Sequence, residues 1–167
     1  PKARIMSPDR VEVTSPKDIA DQFAQYYADL YKEKAGMPEA EMQEYLAGIP
    51  MRILSAEDRE LLDNLISLEE VEMAVGALSP GKSPGPSGFP CEFFKAHLKC
   101  FGGPLLRVYE EAFERGAFTP DLQRAEIVVL PKAGGPAERC SSYRPISLLN
   151  VEIKVLAKVL AERLRGV

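Results

Sequence analysis

Residues 142–150 read Ser142-Tyr143-Arg144-Pro145-Ile146-Ser147-Leu148-Leu149-Asn150, just behind the apolar run Ile127-Val128-Val129-Leu130 that ends in Pro131-Lys132. Both stretches are short and apolar, and Gly134-Gly135 lies between them, so two strands near 125–131 and 144–149 are predicted to flank a flexible loop. A lysine ends the first strand and an arginine opens the second. Two cations held on one hairpin make a clamp for a polyphosphate. Arginine suits this by permanent charge and bidentate geometry, and lysine supplies a point charge.

Working outward, the remaining signals are mostly helical. Residues 1–14 are mixed and are expected to be loose. Ser15-Pro16-Lys17-Asp18 is a helix start, with proline at the first helical position and an acid three residues after the cap. Ile19, Phe23, Tyr26, Tyr27, Leu30 and Tyr31 then form one wide apolar stripe, read as core or partner-helix packing rather than a base-stacking platform. Residues 32–50 are charged and punctuated by glycine and proline, a linker with a short helix near 39–47. Ser55 opens another helix, with Leu61, Leu62 and Leu65 expected inward. Ser67-Leu68-Glu69-Glu70 is a capping box for a helix that must stop by Pro80-Gly81.

Residues 80–90 read Pro-Gly-Lys-Ser-Pro-Gly-Pro-Ser-Gly-Phe-Pro. Prolines remove backbone donors and glycines permit positive φ, so this is neither helix nor central strand. Rigid prolines, glycine amides and Lys82 suit contact with a phosphodiester backbone. A helix follows Pro90, and another, with Leu105, Leu106, Tyr109 and Phe113, ends near Gly116. The last helix carries Ile153, Leu156, Val159, Leu160 and Leu164. The expected fold class is α+β, mainly helical with one small antiparallel β-hairpin.

Several weaker patterns carry little. Gly76 to Ser83 formally matches a phosphate-loop motif, but a capped amphipathic helix precedes it and Pro84-Gly85-Pro86 forbids a helix after it. Cys91, His97, Cys100 and Cys140 lack the paired-cysteine spacing of a zinc site, so no metal site is assigned and the lone His97 reads as a surface or boundary residue. An odd number of cysteines without framework spacing favours a reducing, intracellular setting; nucleus and cytoplasm are not distinguished. No apolar stretch approaches a membrane span, and no membrane partner is expected. Residues 1–79 hold 8 Lys/Arg and 16 Asp/Glu, whereas residues 80–167 hold 13 and 9, so only the second half carries net positive charge.

Taken in order, four motifs resemble the reverse transcriptases of non-long-terminal-repeat (LINE-type) retrotransposons. They are Lys82-Ser83-Pro84-Gly85-Pro86-Ser87-Gly88, then Ile127-x-x-Leu130-Pro131-Lys132, then 142–150, then Lys154-x-Leu156-Ala157-Lys158-x-Leu160-Ala161-x-Arg163-Leu164. The resemblance covers roughly residues 15–165, most clearly 67–165. One position departs: Ser87 stands where the family usually has aspartate, which makes turn hydrogen bonds that serine makes more weakly.

The resemblance implies an incomplete fingers part of a right-hand polymerase. Residues 1–54 would be a helical segment and linker ahead of the polymerase domain, and 55–167 a partial reverse transcriptase domain with palm and thumb absent. It further implies that Lys132 and Arg144 contact the triphosphate of the incoming dNTP. Lys82, Ser83, Gly85, Gly88 and Arg139 would contact the RNA template. Polymerisation needs two metal ions held by carboxylates, Mg²⁺ in the full-length parent. The family takes these from a palm aspartate and a Tyr-x-Asp-Asp turn, whereas this sequence has no aspartate after Asp121. No catalytic residue is therefore assigned here. The expected function is a fragment of an RNA-directed DNA polymerase, inactive alone. The alternative is a non-catalytic nucleic-acid or protein interaction module derived from such an element. Without a palm, the last helix and the hairpin edge should leave apolar surface open, and marginal folding or aggregation is expected.

Overall fold

Serines at the predicted starts set two of the helices. Ser55 and Ser67 each accept a hydrogen bond from the backbone three residues on, and their own amides donate to the Asp58 and Glu70 carboxylates. These capping boxes begin α3 (Ala56–Asp63) and α4 (Leu68–Ala77). The computed structural model describes residues 4–7, 11–32, 36–50 and 53–167. Residues 1–3 and 8–10 of the stretch expected to be loose, and 33–35 of the linker, lie outside the described residues.

The chain divides into two compact units, one of Pro1–Arg52 with Val129–Ile146 and one of Ile53–Val128 with Ser147–Val167. The first unit holds β1 (Ile5–Met6) and β2 (Glu12–Val13), paired antiparallel with Ile5 opposite Val13. Among the described residues this corrects two expectations, that the stretch is loose, at 4–7 and 11–14, and that the fold has one small sheet. The buried member of the pair is Ile5, which joins Phe23 and Tyr27 of α1 (Pro16–Leu30) in a small core. Ile5-Met6 and Val11-Glu12-Val13 are too short to carry a periodic signal, which is why the ribbon was not legible. The α1 stripe is therefore core packing along Phe23 and Tyr27, while Leu30 and Tyr31 stay exposed. Ser15 does not cap α1 with its side chain, and Pro16 alone marks the start. Helix α2 (Glu39–Ala47) buries no side chain.

The second unit is helical: α3 and α4, then α5 (Cys91–Ala96), α6 (Leu98–Arg115), the short α7 (Pro120–Gln123) and α8 (Val151–Gly166). Helix α4 lies between α6 and α8 and buries Val71, Ala74 and Val75. Phe94, Leu105, Tyr109, Val151, Val155, Leu156 and Val159 pack into that core, with Ile66 and Cys91. The α6 helix ends where Gly116 takes φ +70°. Tyr109 is fully buried, and its hydroxyl donates to Glu152 O at 2.8 Å.

Two packing expectations are corrected. Leu61 and Leu65 point outward, 46% and 84% exposed, and Ile66 is buried instead. On α8 Leu156 and Val159 are buried as expected, but the stripe runs through Val151, Val155, Val159 and then Arg163, each four residues on, while Leu160 and Leu164 are exposed. The cause is one side chain. Arg163 reaches the α3–α4 connection and binds the carbonyl oxygens of Leu62, Asn64 and Leu65 at 3.2, 2.6 and 2.9 Å. The connection thus turns its carbonyls to the arginine, and Leu65 stands outside.

Strands β3 (Ala125–Pro131) and β4 (Tyr143–Leu149) pair as the second ribbon, so the hairpin is present as expected. Its loop contains a short 3₁₀ turn, Cys140–Ser142. β3 leaves Ile127, Val128 and Leu130 exposed.

Candidate nucleotide and nucleic-acid contacts

The hairpin tip is built to hold its loop closed. Lys132 N–H donates to Ser142 O at 2.7 Å, and Lys132 Nζ donates to Ser141 O at 2.8 Å. Gly134 takes φ +76°, and a Cβ on Gly135 would stand 2.9 Å from Ser142 Cβ. The two glycines are therefore required by a left-handed turn and a close approach, not by the flexible loop predicted from the sequence. Tyr143 packs edge-on against Phe23, with ring centroids 4.9 Å apart, and donates its hydroxyl to Ala137 O at 2.9 Å. Tyr27 donates to Tyr143 O at 3.1 Å. From β1, Met6 N–H donates to Glu138 O at 2.8 Å, and Arg4 just before it donates to the Glu138 carboxylate at 3.1 Å.

Alternation along β4 sets Arg144 on the face opposite the half-buried Tyr143. Arg144 is exposed, and among the described residues it has no hydrogen-bond or ion-pair partner. Lys132 and Arg144 are thus brought to the same hairpin tip, on a backbone pinned from behind by Tyr143. Arg139 is exposed and lines a cleft of about 490 Å³ with Tyr26 and Asp29 of α1, so its guanidinium shares that cleft with a carboxylate.

The 80–90 loop belongs to the other unit. Lys82, Ser83 and Gly88 are exposed, whereas Gly85 is buried. Gly81 and Gly88 take φ +70° and +76°. Gly88 N–H closes a turn on Gly85 O at 3.0 Å. Gly81 N–H donates to Glu92 Oε1 at 2.6 Å, and this bond leads the causes that hold the Glu92 carboxyl below its usual range. Lys95 Nζ donates to the Gly76 and Leu78 carbonyls at 2.8 and 2.6 Å, tying off the end of α4. Residues 76–83 run from the last turn of α4 straight into this loop, so no strand-to-helix phosphate loop forms.

Asn150 was missed as a site residue although it closes the 142–150 motif. It is 2% exposed and accepts from Ser87 N–H at 2.9 Å. The turn at the departing position is therefore held through the backbone of Ser87. A polar residue just past an apolar strand was the only signal, and it reads equally well as a helix cap.

The chain's three thiols are free, with Cys91 buried and its thiol pushed up by that burial. Among the described residues no three His, Cys, Asp or Glu side chains gather where they could hold a metal ion. No described helix is long and apolar enough to cross a membrane.

The chain is 31% identical over 163 residues to the Transposon TX1 uncharacterized 149 kDa protein of Xenopus laevis, a match covering 98% of this chain and 12% of that protein. It is 31% identical over 102 residues to the Probable RNA-directed DNA polymerase from transposon BS of Drosophila melanogaster, covering 61% of this chain and 11% of that protein. The chain thus spans about an eighth of the length of either relative or slightly less. No protein-family model matches it. Both relatives are transposon proteins, and the similarity, at modest identity, is consistent with reverse-transcriptase-like sequence of a non-long-terminal-repeat retrotransposon.

Proposed function

We propose that these residues are the nucleotide- and template-contacting fingers part of an RNA-directed DNA polymerase. Lys132 and Arg144 bind the triphosphate of an incoming dNTP, Arg144 as a bidentate fork and Lys132 as a point charge. They neutralise charge that builds on the leaving pyrophosphate. In the 80–90 loop, Lys82, Ser83 and Gly88 offer a cation, a hydroxyl and a backbone amide to the RNA template. Gly85, being buried, serves the shape of that loop, and Arg139 adds charge beside its cleft.

The observation that carries this reading is the hairpin tip. Arg144 is exposed and without a partner among the described residues, while Tyr143 beside it is fixed by Phe23, Tyr27 and Ala137. With the backbone already pinned, only the arginine side chain itself remains to be ordered on meeting an anion. The carboxylates and Mg²⁺ for polymerisation would come from a palm outside these residues, so the 167-residue chain alone is inactive in this proposal. Titration of a dNTP into the chain, with and without Arg144→Ala, tests the clamp. Template-dependent extension of a primer by the chain alone would overturn the fragment reading.

A further inference from the structure

Three alternate residues of the 80–90 loop are fastened to one short stretch, the end of β4 and the first turn of α8. Ser83 gives its carbonyl to Lys154 Nζ at 3.3 Å. Gly85 lies so close that a Cβ would stand 2.4 Å from both Asn150 N and Leu149 C. Ser87 N–H donates to Asn150 Oδ1. The other end of the Asn150 amide, Nδ2, donates to Asp121 O and Leu122 O of α7 at 3.3 and 3.4 Å. Asn150 stands at the N-cap of α8, a place that favours asparagine, yet its side chain makes no cap bond. A buried amide engaged at both ends has one orientation. The loop is thereby set in place before any ligand arrives, and its fastened side is opposite in role to the exposed Lys82 and Gly88.

We propose that Asn150 is a positioning residue for nucleic-acid contact by the 80–90 loop. This rests on the reading that the loop meets a phosphodiester backbone. A loop with glycines at 81, 85 and 88 and no strap would have to be ordered at the moment of binding, which weakens affinity without removing any contact. Asn150 touches no ligand in this scheme and acts through Ser87 and Gly85.

The test is binding of the 167-residue chain to a short RNA–DNA duplex at low salt, with amide exchange at Ser87 read in parallel. Asn150→Ala is expected to speed Ser87 exchange and weaken duplex binding about fivefold, the size of one lost hydrogen bond. In a Lys82→Ala background the Asn150→Ala effect on binding should largely vanish, because contacts through one loop are not additive. If Asn150→Ala fails to fold, Lys154→Ala releases Ser83 without touching the core and carries the same test through its coupling to Lys82→Ala. Faster Ser87 exchange with unchanged duplex affinity overturns the positioning role while leaving the template reading intact. Unchanged affinity in Lys82→Ala overturns the template reading, and the positioning role with it, whatever the exchange shows.

Discussion

Arg163 on α8 and Glu70 on α4 meet as a two-bond pair, Nε to Oε1 at 2.6 Å and Nη2 to Oε2 at 2.8 Å. The same guanidinium holds three carbonyls of the α3–α4 connection, and the same carboxylate closes the Ser67 capping box. The arginine in the fourth family motif therefore ties three elements into one core. Replacing Arg163 with alanine leaves a carboxylate and three carbonyls without their partner, and is expected to cost about 3 kcal/mol. Denaturant unfolding of wild type and variant measures this. A loss well under 1 kcal/mol would contradict the structural role.

The pair also makes stability depend on pH. The Arg163 hydrogen bond, helped by Ser67 and opposed by burial, holds the Glu70 carboxyl down from 4.5 to about 2. A depressed carboxyl contributes stability that is fully present above its ordinary value and is lost as pH falls towards the folded one. With the Glu70 side chain 24% exposed, the loss between pH 4.5 and 2 should be about 2 kcal/mol after allowing for solvent screening. Glu70→Gln should flatten that part of the profile. An unchanged slope in the variant would assign the acid loss to other groups.

Two glycines should respond in opposite directions. Gly85→Ala forces a methyl group onto the backbone of Leu149 and Asn150 and should destabilise by about 2–3 kcal/mol. Gly76→Ala, inside α4 with nothing within 4 Å, should stabilise by about 0.5–1 kcal/mol. Thermal melts of the two variants give the signs directly.

In the first unit, Tyr27→Phe removes the hydroxyl bond to Tyr143 O and should cost about 1 kcal/mol locally. Amide exchange in the hairpin loop should rise, while exchange in α4 and α8 stays as in wild type. Equal change in both sets would mean that the bond serves the whole chain.

Much of this was legible because local chemistry decided it. The helix start at Ser55, the capping box at Ser67, the break at Pro80-Gly81 and the paired apolar runs at β3 and β4 each act within a few residues. What was not legible depended on partners far along the chain. Arg163 sits on the stripe of Val151, Val155 and Val159, but hydrophobic periodicity skips an arginine and selects Leu160 and Leu164 instead. Ile5 is buried by Phe23 and Tyr27, and Asn150 is engaged by Ser87, 63 residues away. Gly85 and Gly135 look like turn residues in sequence, and only the approach of Leu149, Asn150 and Ser142 shows what excludes a side chain there.

The most direct test of the account is the affinity of the chain for a deoxynucleoside triphosphate, measured by titration calorimetry at low salt. Wild type should bind, and Arg144→Ala should weaken binding about tenfold, the size of a lost charge-assisted bond. Lys132→Ala should weaken it less, and Arg115→Ala, an exposed cation paired with Glu111 on α6, should not change it. Affinity unchanged in both Arg144→Ala and Lys132→Ala would contradict the clamp.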